Sequence, residues 1–243
     1  LSSQTTLSYG ARFDRVKTNA TRAGNDPGSD HMLQVTANSL YTAHYTGTVT
    51  AGKRDFNNFS GFIRLRKSSS PTSSSYVSLS RNERTPDATE LFNAKTSMAM
   101  GAKYRDRHIG NPNLETEVHT TLELGTEKTL LGSHINASLY INDIKDYVTT
   151  YRGSDGTYAN DVTDARVYKN VDATIWGYEL SIHNNITTNI SALVNLNYTH
   201  GDDDTQSRPL AQIMPLSGDV SVEYKTATIN YGLRANFADT QDR

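Results

Sequence analysis

Hydrophobic residues recur along this chain at every second position, in segments of strand length. Residues 5–15 place Leu7, Tyr9, Ala11 and Phe13 on one face and Ser8, Gly10, Arg12 and Asp14 on the other. The same period returns in 116–125 (Val118, Leu122, Leu124), 133–142 (Ile135, Ala137, Leu139, Ile141) and 172–182 (Thr174, Trp176, Tyr178, Leu180, Ile182). It returns again in 190–199 (Ala192, Val194, Leu196, Tyr198) and 227–237 (Ile229, Tyr231, Leu233, Ala235, Phe237). Period two is the mark of a strand with two unlike faces. Shorter strands are expected at Gly61, Ile63 and Leu65 and over 76–82. Tyr41, Ala43, Tyr45, Gly47 and Val49 alternate with Thr42, His44, Thr46 and Thr48, which predicts a hairpin arm inside a large loop. The expected class is all-β.

The connections alternate in length. Short ones are expected at Ser68–Ser75, Gly125–Ser133, His183–Asn189 and Lys225–Thr226, and long polar ones at 16–56, 83–114, 143–170 and 200–215. Asn25-Asp26-Pro27-Gly28 in the first long segment is a turn signal. Short turns at one end and long loops at the other describe an antiparallel transmembrane β-barrel. Roughly nine strands of crossing length fit, whereas bacterial single-chain barrels usually have an even number, so part of a larger barrel is expected. Alternation alone does not say which face meets water. Arg12, Asp14, Glu123, Glu179 and Arg234 on the polar face suit a wet lumen, whereas a soluble lipocalin-like barrel would turn its apolar face inward.

Composition agrees with that picture. Hydrophobic residues make up 35% of the 243, yet Tyr alone numbers 14. That is strand chemistry with one wet side. No run of ~18 apolar residues offers a membrane helix, but a barrel strand needs only ~9–11 residues with alternate positions apolar. A net charge of −2 gives nucleic acid nothing to hold, and with no Cys there is neither a disulfide framework nor a thiolate metal site. No signal peptide precedes the strand that opens near Leu1-Ser2-Ser3-Gln4, and both ends read as cut edges.

Two punctuated stretches carry a family likeness. Arg84-Thr85-Pro86-Asp87-Ala88-Thr89-Glu90-Leu91-Phe92 resembles the R-x-P-x-x-x-E-L-F segment of TonB-dependent outer-membrane receptors, and Gly110-Asn111-Pro112-Asn113-Leu114-Glu115-Thr116-Glu117 resembles their G-N-P-x-L-x-x-E segment. Asn142–Val148, Trp176–Leu180, Pro209–Pro215 and Gln241–Arg243 are similar to later landmarks in the same order, so the likeness covers roughly residues 5–243. The resemblance implies part of a 22-stranded barrel closed by a plug. Residues 1–243 would form a partial barrel domain lacking the plug and the C-terminal strands. It further implies a bacterial outer-membrane location and no enzymatic activity. The implied activity is uptake of a metal or metal complex, energised by an inner-membrane TonB-type protein acting through the missing plug. The wording from Arg84 to Glu90 is similar to the copper-receptor branch. A siderophore-iron receptor is the alternative within the family, and a surface adhesin barrel the alternative outside it. The departure from the copper branch is chemical: there is no Cys and Met occurs only at 32, 98, 100 and 214, whereas soft Cu(I) prefers sulfur ligands.

Candidate chemistry is sparse. Met98 and Met100, two apart on an extended segment, point their thioethers the same way, and His108 is near enough in sequence to complete a metal site. His31 and Met32 form a second candidate in another long loop. Arg84, Pro86 and Glu90 read as loop anchors: Pro86 fixes its own φ, and Arg84 and Glu90 are placed to pair. Asp202-Asp203-Asp204 beside His200 has the composition of a hard-cation site, although such runs are usually just solvated. Glu117, Glu123 and Glu179 read as ordinary lumen lining, and no nucleophile elbow, zinc helix or cofactor motif is present. Trp176 and the Tyr residues fit an aromatic girdle at a lipid interface.

Overall fold

In the computed structural model, residues 4–24, 36–96, 107–152 and 165–241 are described. Nine long strands follow one another in a single antiparallel path. They are β1 (Gln4–Asn19), β2 (Lys53–Ser70), β3 (Ser73–Arg84), β6 (Glu117–Leu130), β7 (Ser133–Arg152), β8 (Ala165–Asn185), β9 (Ile190–Asp203), β11 (Ser217–Lys225) and β12 (Asn230–Ala238). Three short pieces lie beside them: β4 (Ala94–Thr96), β5 (Arg107–Ile109) and β10 (Arg208–Pro209). Two helices, α1 (Ala37–His44) and α2 (Ala88–Phe92), sit in the long connections. Each long strand pairs with its neighbours in the chain, the topology of an up-and-down barrel wall.

Turns at one end are tight. Pro71-Thr72 joins β2 to β3, and Leu131-Gly132 joins β6 to β7 with both residues at positive φ (50° and 79°), the two-residue geometry whose twist matches a hairpin. Four-residue turns at 186–189 and 226–229 complete that end. The opposite end carries every long connection.

Register places like with like. Tyr9, Ile63, Leu79, Leu122, Ile141 and Trp176 form one continuous cross-strand row. Leu7, Leu65, Val77, Leu124, Leu139 and Tyr178 form the row beneath it. Tyr9 is 77% exposed, and Leu79, Leu122, Ile141 and Trp176 are all between 42% and 49% exposed. The buried apolar clusters, around Tyr41–Val167, Leu91–Leu114 and Ile144–Leu210, all lie at the loop end. The apolar mid-strand face therefore has no protein layer over it among the described residues. A face this large and apolar is matched to hydrocarbon. Trp176 packs against Tyr198 at 5.4 Å and His200 at 5.3 Å, and Tyr178 stacks on Tyr198 at 5.5 Å, forming an aromatic patch on this face.

The other face is wired with charge. Arg64 donates to Glu123 (3.2 Å) and lies 4.4 Å over the Tyr76 ring, whose hydroxyl donates to Glu123 at 2.5 Å. Arg66 pairs with Glu127, and Arg234 with Asp219 at 3.1 Å. Two rings on this face occupy the space beside glycines of the next strand. Tyr76 covers Gly125 and Tyr140 covers Gly177, where any Cβ would collide with the ring. Tyr140 thereby reaches over β8 to hydrogen-bond Thr199 of β9 at 2.9 Å.

Two sequence expectations need correction. The alternation from Tyr41 to Val49 forms no hairpin arm: residues 37–44 are helix α1, capped by the Thr36 side chain, which accepts from Ser39 N at 3.1 Å. Leu40, Tyr41, His44 and Tyr45 also satisfy helical spacing, and burial of Tyr41, His44 and Tyr45 favours that alternative. Nor is 143–170 all loop, because β7 continues to Arg152 and β8 begins at Ala165. A bulge hid this: Lys145 and Asp146 (φ 57°) together face Asp172, so the pairing steps from Ile144–Ala173 to Tyr147–Val171.

The two faces make opposite demands. Leu122→Arg in the full-length protein should cost about 2–4 kcal/mol, whereas Thr121→Arg on the charged face should cost far less. Urea midpoints from heat-modifiable gel mobility measure both. Equal losses would mean that the apolar face is not the lipid face.

Candidate functional site

The two punctuated stretches fold onto each other. After β3, Asp87 caps α2, its Oδ1 accepting from Thr89 N (2.7 Å) and Glu90 N (2.8 Å), while Glu90 Oε2 accepts from Asp87 N at 2.7 Å. This is a reciprocal capping box. Leu91 on that helix is fully buried with Phe56, Leu114 and Val148. The second stretch then closes over the helix. Gly110 N donates to Asn93 O (2.6 Å) and Asn111 N to Glu90 O (2.8 Å). A Cβ at Gly110 would overlap the backbone of Leu91, Phe92 and Asn93, so only glycine permits this approach. Arg54 ties the far side down, donating to the carbonyls of Pro112 (2.8 Å) and Leu114 (2.5 Å).

Glu117 is the hub. It stands opposite Arg84 in the β3–β6 ladder, five positions before Leu122, so it lies beyond the apolar belt on the loop side. Its side chain is only 3% exposed. Arg84 grips it in a fork, Nε to Oε2 at 2.7 Å and a terminal nitrogen to Oε1 at 2.6 Å. The same guanidinium reaches both oxygens of Glu90 at 2.9 and 3.0 Å. Val148 N donates to Oε1 at 2.8 Å, and His119 Nε2 lies 3.0 Å from Oε2. Asn142 Nδ2 lies 3.1 Å from His119 Nδ1; with the amide donating there, the Nε2 proton points at Glu117. Burial pushes the Glu117 carboxyl upward, but Arg84, His119 and the Val148 N–H together outweigh it and hold the pKa at about 2, against 4.5 for an ordinary glutamate. An arrangement in which every acceptor is occupied holds structure and performs no acid–base chemistry.

A second layer sits above. Tyr41 of α1 donates to Phe92 O (2.8 Å) and Tyr45 to Ile109 O (2.9 Å), while Tyr168 N donates to the Tyr45 hydroxyl (3.1 Å). Helix α1 is thus bolted to both sides of the 85–116 connection and to β8.

The sequence candidates fall as follows. Arg84 and Glu90 are brought together, and Pro86 stands between them at the turn into α2. His108 is half-buried on β5, across from Lys95 and Arg166 in the ladder. Met98, Met100, His31 and Met32 lie outside the described residues. The Asp202–Asp204 run is dispersed: Asp202 takes His200 (2.8 Å), Asp203 takes Tyr151 and Arg208, and Asp204 takes Thr174 (2.7 Å). Among the described residues no group of three His, Asp or Glu side chains is arranged around a metal position. Sequence reasoning missed the role of Glu117, which it read as lining. The signal was its position at the end of the second stretch, 33 residues from Arg84.

Comparison with known proteins places this geometry. Residues 1–243 match a family described as TonB dependent receptor-like, beta-barrel. No curated protein sequence matches the chain. Among solved structures, the copper transporter OprC superposes with a TM-score of 0.72 at 22% identity, over 98% of this chain and 33% of that one. The ferric-catecholate import receptor Fiu from E. coli K12 superposes with 0.62 at 16% identity, over 96% and 32%. The FrpB iron transporter from Neisseria meningitidis superposes with 0.61 at 15% identity, over 96% and 30%. The chain spans about a third of the length of these structures, and likeness at such identities establishes the fold.

The hub makes a prediction with two arms. Arg84→Ala strands a buried carboxylate and should loosen the 85–116 connection by about 2 kcal/mol, a value reduced because Arg84 is partly solvated. Because the folded pKa of Glu117 lies below 4.5, its stabilisation is present above that pH and is lost as pH falls toward about 2. Pepsin should therefore cleave within 85–116 increasingly over that window, and Glu117→Gln should be cleaved readily throughout it. A pH-independent cleavage rate in the native sequence would remove Glu117 as the hub.

Proposed function

The chain belongs to the TonB-dependent receptor family of outer-membrane β-barrels, whose members transport rather than catalyse, and on that premise we propose that residues 1–243 are a partial barrel domain in a receptor for active uptake of a metal or metal complex. The observation that carries this is the sheet's division of labour. One face is apolar and uncovered among the described residues, the other is crossed by charged pairs, and the long connections at one end are fastened into a buried module. In this reading the long connections face the outside, where cargo is captured, and the tight turns face the periplasm. Arg84, Pro86 and Glu90 anchor the connection at the mouth. Energy reaches the barrel from an inner-membrane TonB-type partner through a plug supplied by another part of the protein.

Copper is the preferred cargo. Support comes from the wording Arg84-Thr85-Pro86-Asp87-Ala88-Thr89-Glu90 and from Met98, Met100 and His108, a thioether and imidazole set suited to copper. The fold itself serves copper and iron transporters alike, so the siderophore-iron reading stands as the second hypothesis.

Cells carrying the full-length gene should accumulate labelled copper above a deletion strain, and an uncoupler should abolish the difference. Accumulation of a ferric siderophore instead would move the receptor to the second reading, and accumulation of neither would favour an adhesin barrel. Met98→Leu with Met100→Leu should weaken copper binding by the intact receptor, measured by titration calorimetry. Unchanged affinity would strike both residues from the site.

A further inference from the structure

At the opposite end from the loop module, two histidines stand face to face. His134 is the second residue of β7, immediately after the Leu131-Gly132 turn, and His183 is near the end of β8. They are direct partners in the antiparallel ladder. The ladder continues from them through Asn136–Ser181 and Ser138–Glu179 to Tyr140–Gly177, so both imidazoles lie on the charged face, toward the lumen. Their rings are nearly parallel, 15° apart, with centroids separated by 6.3 Å. Nothing described above uses them.

The geometry points to a second metal site: we propose that His134 and His183 chelate one borderline divalent ion, of the class of Cu²⁺, Ni²⁺ or Zn²⁺, at the turn end of the lumen. Directly opposed residues in an antiparallel pair hold their Cβ atoms about 5 Å apart, so two imidazoles at such positions share a reach. With metal–nitrogen bonds of about 2.0–2.1 Å, two rings on one ion have centroids about 5–6.4 Å apart, from tetrahedral to linear. The observed separation lies at the open end of that range. Chelation requires each ring to turn about χ2 so that one nitrogen of each faces the shared ion.

The surroundings suit a metal-ready imidazole. His134 Nδ1 lies 2.9 Å from Thr129 Oγ1, across the β6–β7 ladder. When Nδ1–H donates to that oxygen, Nε2 presents its lone pair, as an outer partner commonly arranges for a ligating histidine. Among the described residues, the His183 imidazole makes no hydrogen bond, and its ring contact is His134. The charge of the nearby cation Arg66 is offset by its pairing with Glu127. An open recess of about 380 Å³, lined in part by Arg66, Ser74, Glu127, Lys128, Thr129 and His134, leaves room for water beside His134. Imidazole nitrogens with water select this borderline class over Ca²⁺ or Mg²⁺, which take oxygen.

The site stands on its own geometry and does not require the uptake reading. In the purified full-length receptor, one equivalent of Cu²⁺ should give an electron paramagnetic resonance spectrum with coupling to two imidazole nitrogens. His134→Asn or His183→Asn should each remove one coupling, and the double variant should lose both together with one stoichiometric binding event. Thr129→Val should weaken Cu²⁺ binding at this site by about tenfold, while Thr129→Ser restores it. Heat-modifiable mobility confirms that each variant is folded, and copper accumulation by cells carrying the native gene is scored separately. Metal accumulation without the two-nitrogen signature overturns this site and leaves the uptake reading intact. The signature without copper accumulation supports the site and sinks copper as the cargo. An identical spectrum in the folded double variant also overturns the site.

Discussion

Hydrocarbon offers no hydrogen bonds, so a strand that crosses it must find every backbone partner in its neighbours. That constraint organises the chain. It imposes the succession of ladders from β1 through β12 and favours neighbours in sequence as neighbours in space. It also accounts for tight turns such as Leu131-Gly132, which return the chain without leaving polar backbone inside the apolar layer. Once the ladders satisfy the backbone, side chains are free to specialise. Leucine, isoleucine and aromatic residues occupy one face, and arginine–glutamate pairs the other.

A wall of this kind buries no core of its own, and the apolar clusters found here are gathered where the strands emerge. There the chain has to organise long connections in water, and it does so around one carboxylate. Glu117 joins the end of β3 through Arg84, the start of β6 through its own backbone, and β7 through Val148 N. Arg84 extends the same network to Glu90, which already caps α2. Helix start, strand end and loop closure therefore share a single set of charge-assisted hydrogen bonds. Removing Arg84 strands Glu117, whose side chain is almost fully buried, the costly case for a charge shielded from water.

How much of this was legible depended on whether the deciding contact was local. Strands around Leu7, Leu122, Leu139 and Leu233 were readable because period two is written in adjacent residues. The connection from Arg84 to Glu90 was readable for the same reason, since both partners lie within one turn of chain. Helix α1 was not, because Tyr41, Ala43 and Tyr45 fit a strand as well as Leu40, Tyr41 and His44 fit a helix, and packing against Ile109 and Val167 made the choice. The upper part of β7 was hidden by Lys145 and Asp146, which interrupt the alternation. Glu117 looked like Glu123 and Glu179 because its burial is created by a residue 33 positions away. Met98, Met100, His31 and Met32 fall outside the described residues, and their candidacy rests on the sequence alone.

The offset at Lys145–Asp146 has a consequence for how such a wall can diversify. Below it, even-numbered residues such as Asn142 and Ile144 face inward; above it, odd-numbered Tyr147 and Tyr151 take that side. The extra residue is absorbed within a single step of the ladder. The ribbon beyond can therefore be lengthened, shortened or rewritten, and no side chain nearer the bilayer is rotated into the wrong solvent. The membrane-bound frame and the exterior surface are in effect decoupled at that residue, so selection can act on one without renegotiating the other.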